Sequence, residues 1–163
     1  MVQLTVDSIG PDDWARFVPI RLAALLDTPD AFGSTYAEER DQPESRWREW
    51  LGMTRTLVAR IAEQDVGITM VAPDKGPEPG DALIWSVWVA PAGRGAGVGD
   101  ALMRAAIRAG RAAGSARLVL EVGDHNTHAI ALYARHGFVR TGNLSALPPP
   151  REQITEHERA LVL

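Results

Sequence analysis

The sequence predicts an α/β fold in which one mixed sheet carries helices on both faces. Three observations predict it. Short apolar runs of strand length recur along the chain, several intervening segments keep a helical period, and Pro/Gly clusters separate the two kinds. No repeat or low-complexity tract interrupts the 163 residues, and a chain of that length is expected to form one domain, residues 1–163.

The elements follow in order. Val2-Gln3-Leu4-Thr5-Val6 alternates as a strand does. Pro11-Asp12-Asp13 opens a helix, its acidic residues suited to the first turn. Trp14, Phe17, Val18, Leu22, Leu25 and Leu26 then keep a helical period until Asp27-Thr28-Pro29 ends it. A second helix is expected within residues 36–51, interrupted near Pro43, with Trp47 and Trp50 packing inward. Strands are expected at 56–62, 66–71 and 82–89, with a solvated Pro/Gly loop over 73–80. A helix over 97–113, a strand over 117–122, a helix over 127–136 and a strand over 138–141 complete the core. Gly137 stands where a left-handed helix cap is wanted. Pro148-Pro149-Pro150 marks a loop before a last strand at 155–163.

Bulk properties exclude several functions. With 17 basic against 21 acidic residues the net charge is −4, and no basic cluster offers the phosphate contacts that dominate nucleic-acid affinity. No stretch reaches the ~20 apolar residues of a membrane span, and the N-terminus lacks a basic-then-apolar signal. A cytoplasmic enzyme with no membrane partner is the expectation. The acidic balance mildly favours cationic substrates in encounter. With no cysteine, the chain has no disulfide, no thiolate metal site and no cysteinyl acyl-enzyme. His125 and His128 flank a helix start without a third ligand, so no metal is expected there.

The stretch from Val89 to Gly99 carries the most information. An apolar run stops at Pro91, Gly93, Gly95, Gly97 and Gly99 follow at alternate positions, and an Ala/Leu/Met-rich helical pattern begins. Glycines let the backbone approach a ligand closely, and N–H groups opening a helix have no intrahelical partner. The helix dipole adds partial positive charge, so the arrangement is an anion cradle, most naturally for phosphates. A P-loop would need Gly-Lys-Ser/Thr at the helix entry, which here reads Gly99-Asp100-Ala101; the chain's one lysine is Lys75. A dinucleotide fingerprint would need glycine at Val98, Asp100 or Leu102, depending on frame. A plain turn without a ligand needs one glycine at most.

What remains is Arg94-x-x-Gly97-x-Gly99 after Val-x-Pro at a strand end. It resembles the acyl-CoA pyrophosphate loop of the GNAT superfamily of N-acetyltransferases. A second block agrees: Leu120-Glu121-Val122, Asn126, Ala129-Ile130-Ala131-Leu132-Tyr133 and Gly137-Phe138. The resemblance is close from Trp85 to Gly142 and loose in the flanks. It implies a GNAT fold with a mixed, mostly antiparallel sheet of about six to seven strands, and acetyl-CoA as co-substrate for direct transfer to a primary amine. It also implies site residues. The N–H groups of Gly95, Ala96, Gly97, Val98, Gly99 and Asp100 would face the pyrophosphate, with Arg94 adding a charged contact or staying solvated. The main chain of Val87, Trp88 and Val89 would pair with the pantetheine arm. Asn126 would cap its helix and hydrogen-bond the pantetheine, or only cap.

Acetyl transfer to an amine also needs a proton donor and a base, because amines near pKa ~10.4 and thiols near ~8.5 hold the wrong proton states at neutrality. The resemblance makes Tyr133 the general acid for the leaving thiolate; a packed tyrosine is the bland alternative. Many GNAT enzymes place a glutamate before the pyrophosphate loop, yet residues 82–89 contain no carboxylate. Glu121 is the substitute base, as in the ribosomal-protein alanine acetyltransferase branch, unless ordered water relays the proton. A carboxylate in that apolar run is costly unless partnered or facing a wet cleft. Ser86, Trp88, Phe32 and Tyr36 are candidates for lining the acceptor cleft. Glu38, Glu39, Asp41 and Glu44 either attract an ammonium or form a solvated helix face. The acceptor itself is set by loops 27–36 and 142–153, or by a partner subunit as well, and none of these carries a motif. The resemblance also implies that a homodimer can form, for which the late strands would serve. A catalytically silent acyl-CoA-binding protein, and a transferase for a protein N-terminus or another acyl group, remain the alternatives.

Overall fold

In the computed structural model, which describes residues 2–163, the strands form one open sheet in the order β1-β2-β3-β4-β5-β7-β6. These are β1 (Leu4–Ile9), β2 (Arg55–Ile61), β3 (Gln64–Ala72), β4 (Asp81–Val89), β5 (Arg117–Gly123), β6 (Val139–Ala146) and β7 (Thr155–Val162). The helices are α1 (Trp14–Asp27), α2 (Tyr36–Glu39), α3 (Glu44–Met53), α4 (Val98–Ala112) and α5 (Thr127–Arg135). All neighbouring strands run antiparallel except β4 and β5. The expected mixed, mostly antiparallel sheet is therefore the one observed.

Strand alternation sorts the core into two layers. Leu57 and Ala59 of β2, with Leu118, Leu120 and Val122 of β5, pack against Val98, Leu102, Met103 and Ala106 of α4 and against Leu132 and Tyr133 of α5. Val58, Ile68 and Met70 point the other way, onto Phe17, Ala24 and Leu25 of α1 and Trp47 and Leu51 of α3. Trp47 and Trp50 do face inward, each about 6 Å from the Phe17 ring: 5.9 Å and 6.0 Å, both edge-on.

Three expected boundaries move. The first strand starts at Leu4 and runs on through Asp7 and Ser8, because the antiparallel ladder with β2 continues from Leu4 opposite Ile61 to Ile9 opposite Thr56. Pro11–Asp13 forms a separate 3-10 turn ahead of α1. The strand expected at 138–141 starts at Val139 and extends to Ala146 through Gly142, whose φ of +98° absorbs a register shift against β7 between Arg140 and Leu144. An irregular ladder hides a strand from a period-2 reading.

Candidate active site

The site grows from a flaw in the sheet. β4 pairs with β5 only from Asp81 opposite Arg117 to Leu83 opposite Val119, and beyond Leu83 the strands part. On its other side β4 stays paired with β3, but Ile68 faces Trp88 while Met70 faces Trp85, so β4 carries an extra residue there. Ser86 sits in that bulge with φ +62°, a left-handed conformation that costs a non-glycine residue about 1–3 kcal/mol. The paired end is clasped by Arg117, which donates to the buried Asp81 carboxylate at 2.9 Å and 2.6 Å. That guanidinium holds Asp81 below its ordinary carboxylate range against the opposing effect of burial. The parted end leaves the β5-facing edge of Val87–Val89 without a strand partner, the exposed edge that pairing with a pantetheine arm requires.

Where β4 ends, the chain makes a 3-10 turn at Pro91–Gly93 and enters α4. Gly95 and Gly97 take φ of +78° and +79°, which L side chains rarely adopt, and Gly97 is the residue that caps α4. Among the described residues no backbone carbonyl accepts from the N–H groups of Gly95, Gly97, Val98, Gly99 or Asp100. Ala96 differs, since its N–H already bonds to the Gly93 carbonyl at 3.4 Å. The cradle thus has orphan donors of the kind an anion satisfies. Asp100 turns its side chain away toward α5, accepting from His136 at 2.8 Å and Arg135 at 3.2 Å. The His136 bond, with Arg135 assisting, holds its carboxyl below the usual range. Arg94 is half-exposed and tied down: its guanidinium pairs with Asp27 and donates to the Val89 carbonyl at 3.1 Å. Asp27 accepts as well from the Trp88 indole at 3.0 Å.

Between β4 and β5 lies a narrow slot of about 50 Å³, lined by Ile84, Ser86, Val87, Leu120, Glu121, Val122, Asn126 and Tyr133 among others. Asn126 caps α5 through its side-chain oxygen, which accepts from the Ala129 N–H at 3.3 Å. Tyr133 is buried to 6% exposure, and desolvation pushes its hydroxyl above the ordinary tyrosine value. The slot opens into a cleft of about 420 Å³ that shares Ala31, Ile84, Ser86 and Glu121 with it. Glu121 has an exposed side chain, so its place in an apolar strand carries no burial penalty. Glu156 of β7 lines the same cleft and is raised above the ordinary glutamate range, first by burial and then by the Glu121 charge, with Arg151 opposing.

Sequence reasoning missed Arg21 and Arg151, and Glu39, expected to attract an ammonium or to lie on a solvated helix face, is instead buried as the partner of Arg21. Arg21 of α1 and Glu39 of α2 form a buried bidentate pair at 2.9 Å and 2.7 Å. The same guanidinium lies 5.0 Å from the Phe32 ring and 4.9 Å from Trp50, and its Nη1 donates to Ser86 Oγ at 2.6 Å. One signal was available: Arg21 stands four residues from both Phe17 and Leu25, on the buried stripe of α1, where a charge needs a partner. Arg151 spans loops remote in sequence, donating to the carbonyls of Phe32 at 2.7 Å and Gly33 at 3.2 Å. Of the expected cleft residues, Ser86 and Phe32 line it. Trp88 and Tyr36 do not. The acidic stretch is otherwise spent on structure: Glu38 completes the Thr35 capping box, Asp41 pairs with Arg40, and Glu44 pairs with Arg48.

Known proteins share the family and the fold. The family model described as acetyltransferase (GNAT) family matches residues 22–138. A mycothiol acetyltransferase of Paenarthrobacter aurescens is 39% identical over 134 residues, covering 80% of this chain and 40% of that protein. One from Renibacterium salmoninarum is 28% identical over 140 residues, covering 84% and 41%. The chain thus spans about two-fifths of the length of these curated relatives. Among solved structures, a GNAT-family acetyltransferase from Streptococcus pneumoniae superposes with a TM-score of 0.82 at 20% identity, covering 99% of this chain and 100% of that one. A Salmonella typhimurium protein solved with its cofactor acetyl-CoA gives 0.79 at 22%, covering 99% and 94%. At such identities the structural likeness is one of fold.

Proposed function

The chain belongs to the GNAT acetyltransferase family, and on that footing we propose that it moves the acetyl group of acetyl-CoA to a primary amine by direct attack in a ternary complex. The observation that carries this reading is the junction of slot and cleft, where Ser86 and Glu121 line both spaces and Tyr133 lines the slot. The orphan N–H groups from Gly95 to Asp100 suit a pyrophosphate, with Ala96 the weakest of them because its N–H is engaged. Val87, Trp88 and Val89 offer a strand edge to the pantetheine amides, and Asn126 lines the slot with Val87. Arg94 is held by Asp27 through Nη2 and by the Val89 carbonyl through Nε, which leaves Nη1 for a phosphate.

The geometry supports a role for each remaining residue. Tyr133 donates a proton to the departing thiolate, and the phenolate left behind is reprotonated before the next turnover. Glu121, open to the cleft, takes the proton of the incoming ammonium, and Glu156 beside it is a second carboxylate poised for the same work. Acid–base steps of this kind contribute about 10²–10⁴-fold each. One alternative has specific support: β4 carries no carboxylate between Ala82 and Val89, as a silent acyl-CoA binder would allow. Transfer of another acyl group, or transfer to a protein N-terminus, would use the same slot.

The test is thiol release from acetyl-CoA across polyamines, amino acids, aminoglycosides, arylamines and short peptides. The chain itself contributes no thiol background. The names of the curated relatives add a mycothiol arm, followed by product mass because that acceptor is itself a thiol. Turnover with one amine class, lost in Tyr133→Phe, is the expected result. Acetyl-CoA binding without turnover in any arm would support the silent binder.

A further inference from the structure

Among the described residues three positions outside glycine have positive φ, and two of them, Ala62 and Asp74, lie in turns. Ser86 is the third, and it lies inside a strand. A conformation that an L residue resists persists where the surroundings over-determine it. Here the surroundings are a chain of charge. Glu39 grips Arg21 through two hydrogen bonds, Phe32 and Trp50 flank the guanidinium, and Arg21 donates to Ser86 Oγ at 2.6 Å. Arg21 and Glu39 are 4% and 2% exposed.

A guanidinium has donors only, so Ser86 Oγ is the acceptor in that contact. The serine proton must then point elsewhere, and no protein group accepts it among the described residues. Because Ser86 borders both the slot and the cleft, that proton is presented where the thioester and the acceptor would meet. Donation from a charged group into Oγ polarises the O–H bond and strengthens the bond it gives onward.

We infer that Ser86 is a catalytic hydrogen-bond donor to the thioester carbonyl oxygen, oriented by the buried Arg21–Glu39 pair as positioning residues. The inference rests on the acetyl-transfer reading above. The amine lone pair forms the new C–N bond, and the carbonyl π pair moves onto oxygen, where the Ser86 O–H stabilises it. When that pair returns, the C–S bond breaks. The ammonium proton leaves to Glu121 and the thiolate takes a proton from Tyr133. Ser86 itself transfers nothing.

Glycine accepts φ +62° without strain, so Ser86→Gly removes the hydroxyl while leaving the bulge intact. Two readouts are made on the intact chain. The first is kcat with acetyl-CoA and the best amine. The second is the infrared carbonyl band of acetyl-CoA labelled with carbon-13 at the thioester carbonyl, bound without any acceptor. The expected results are a loss of about 10²–10³-fold in kcat, comparable to removal of an oxyanion donor, with KM for acetyl-CoA held within about twofold. The bound carbonyl band should move to higher wavenumber in the variant. Ser86→Gly with unchanged kcat and an unmoved band overturns the inference. So does a loss in Ser86→Ala that Ser86→Gly does not share, because backbone shape alone would then explain it. A band shift in a protein that transfers acetyl to no amine overturns the transferase reading and leaves Ser86 as a carbonyl donor. Failure of acetyl-CoA to bind overturns both.

Discussion

Tyr133 and Glu156 are both displaced upward in proton affinity, and the consequences differ in sign and place. Burial raises the Tyr133 hydroxyl, so it keeps its proton across the working range. Tyr133→Phe should lower kcat by about 10²–10⁴-fold, and the wild type should show no loss of kcat from this group below about pH 10. A kcat–pH profile of both proteins checks it. Glu156 is raised in the fold, so the folded chain binds its proton more tightly than the unfolded chain does. Its stabilising contribution is complete below the unfolded value and is lost as pH rises through the folded one. At pH 7 the charged Glu156 therefore works against folding, and Glu156→Gln should raise the melting temperature there. The gain should be small for a half-buried group and should vanish near pH 4. Melting curves at the two pH values decide it. The glycine loop and the Asn126 cap were legible at this scale because both are local: neighbouring residues fix φ and the capping bond. Ser86 was not. Its positive φ leaves no mark in residue type, and its partner Arg21 is 65 residues away.

Among the elements, the parallel contact between β4 and β5 is short enough for one ion pair to matter. Asp81 is 1% exposed and Arg117 is its guanidinium partner. Arg117→Ala leaves a buried carboxylate without a counter-charge and should cost about 3 kcal/mol, read from denaturant unfolding. The sign follows from the Asp81 carboxyl being held low in the fold. The pair's contribution is present above the ordinary carboxylate range and is lost as pH falls below it, so wild type and variant should converge in strong acid. Strand positions were legible from apolar runs and breaker residues. The parting of β4 from β5 was not, because it depends on a bulge against β3 and on neighbours 36 residues away. β6 was read short for a related reason, since Gly142 looks like an end and is a bend within the strand.

Over the whole molecule, the loops that frame the cleft come from opposite ends of the chain and meet through Arg151, which is 119 residues from Phe32 and 118 from Gly33. No local pattern announces such a contact. It nonetheless decides where the acceptor loops sit relative to each other. Arg151→Ala should raise KM for the acceptor by several-fold while KM for acetyl-CoA stays within about twofold, because the pyrophosphate loop lies elsewhere. Steady-state kinetics with each substrate varied separates the two. An equal rise in both would show that the stitch holds the fold and not the cleft.

The same wedge between β4 and β5 has a thermodynamic side. A sheet joined across three residue pairs has little ladder between its β1–β4 part and its β5–β7 part, which are held together mainly by the core they share under α4. A pantetheine arm lying in the gap would supply rungs that the polypeptide omits, so acetyl-CoA would become part of what melts. At a hundredfold excess over its Kd it should add about 2.7 kcal/mol to stability. Amide exchange along both facing edges should then slow together.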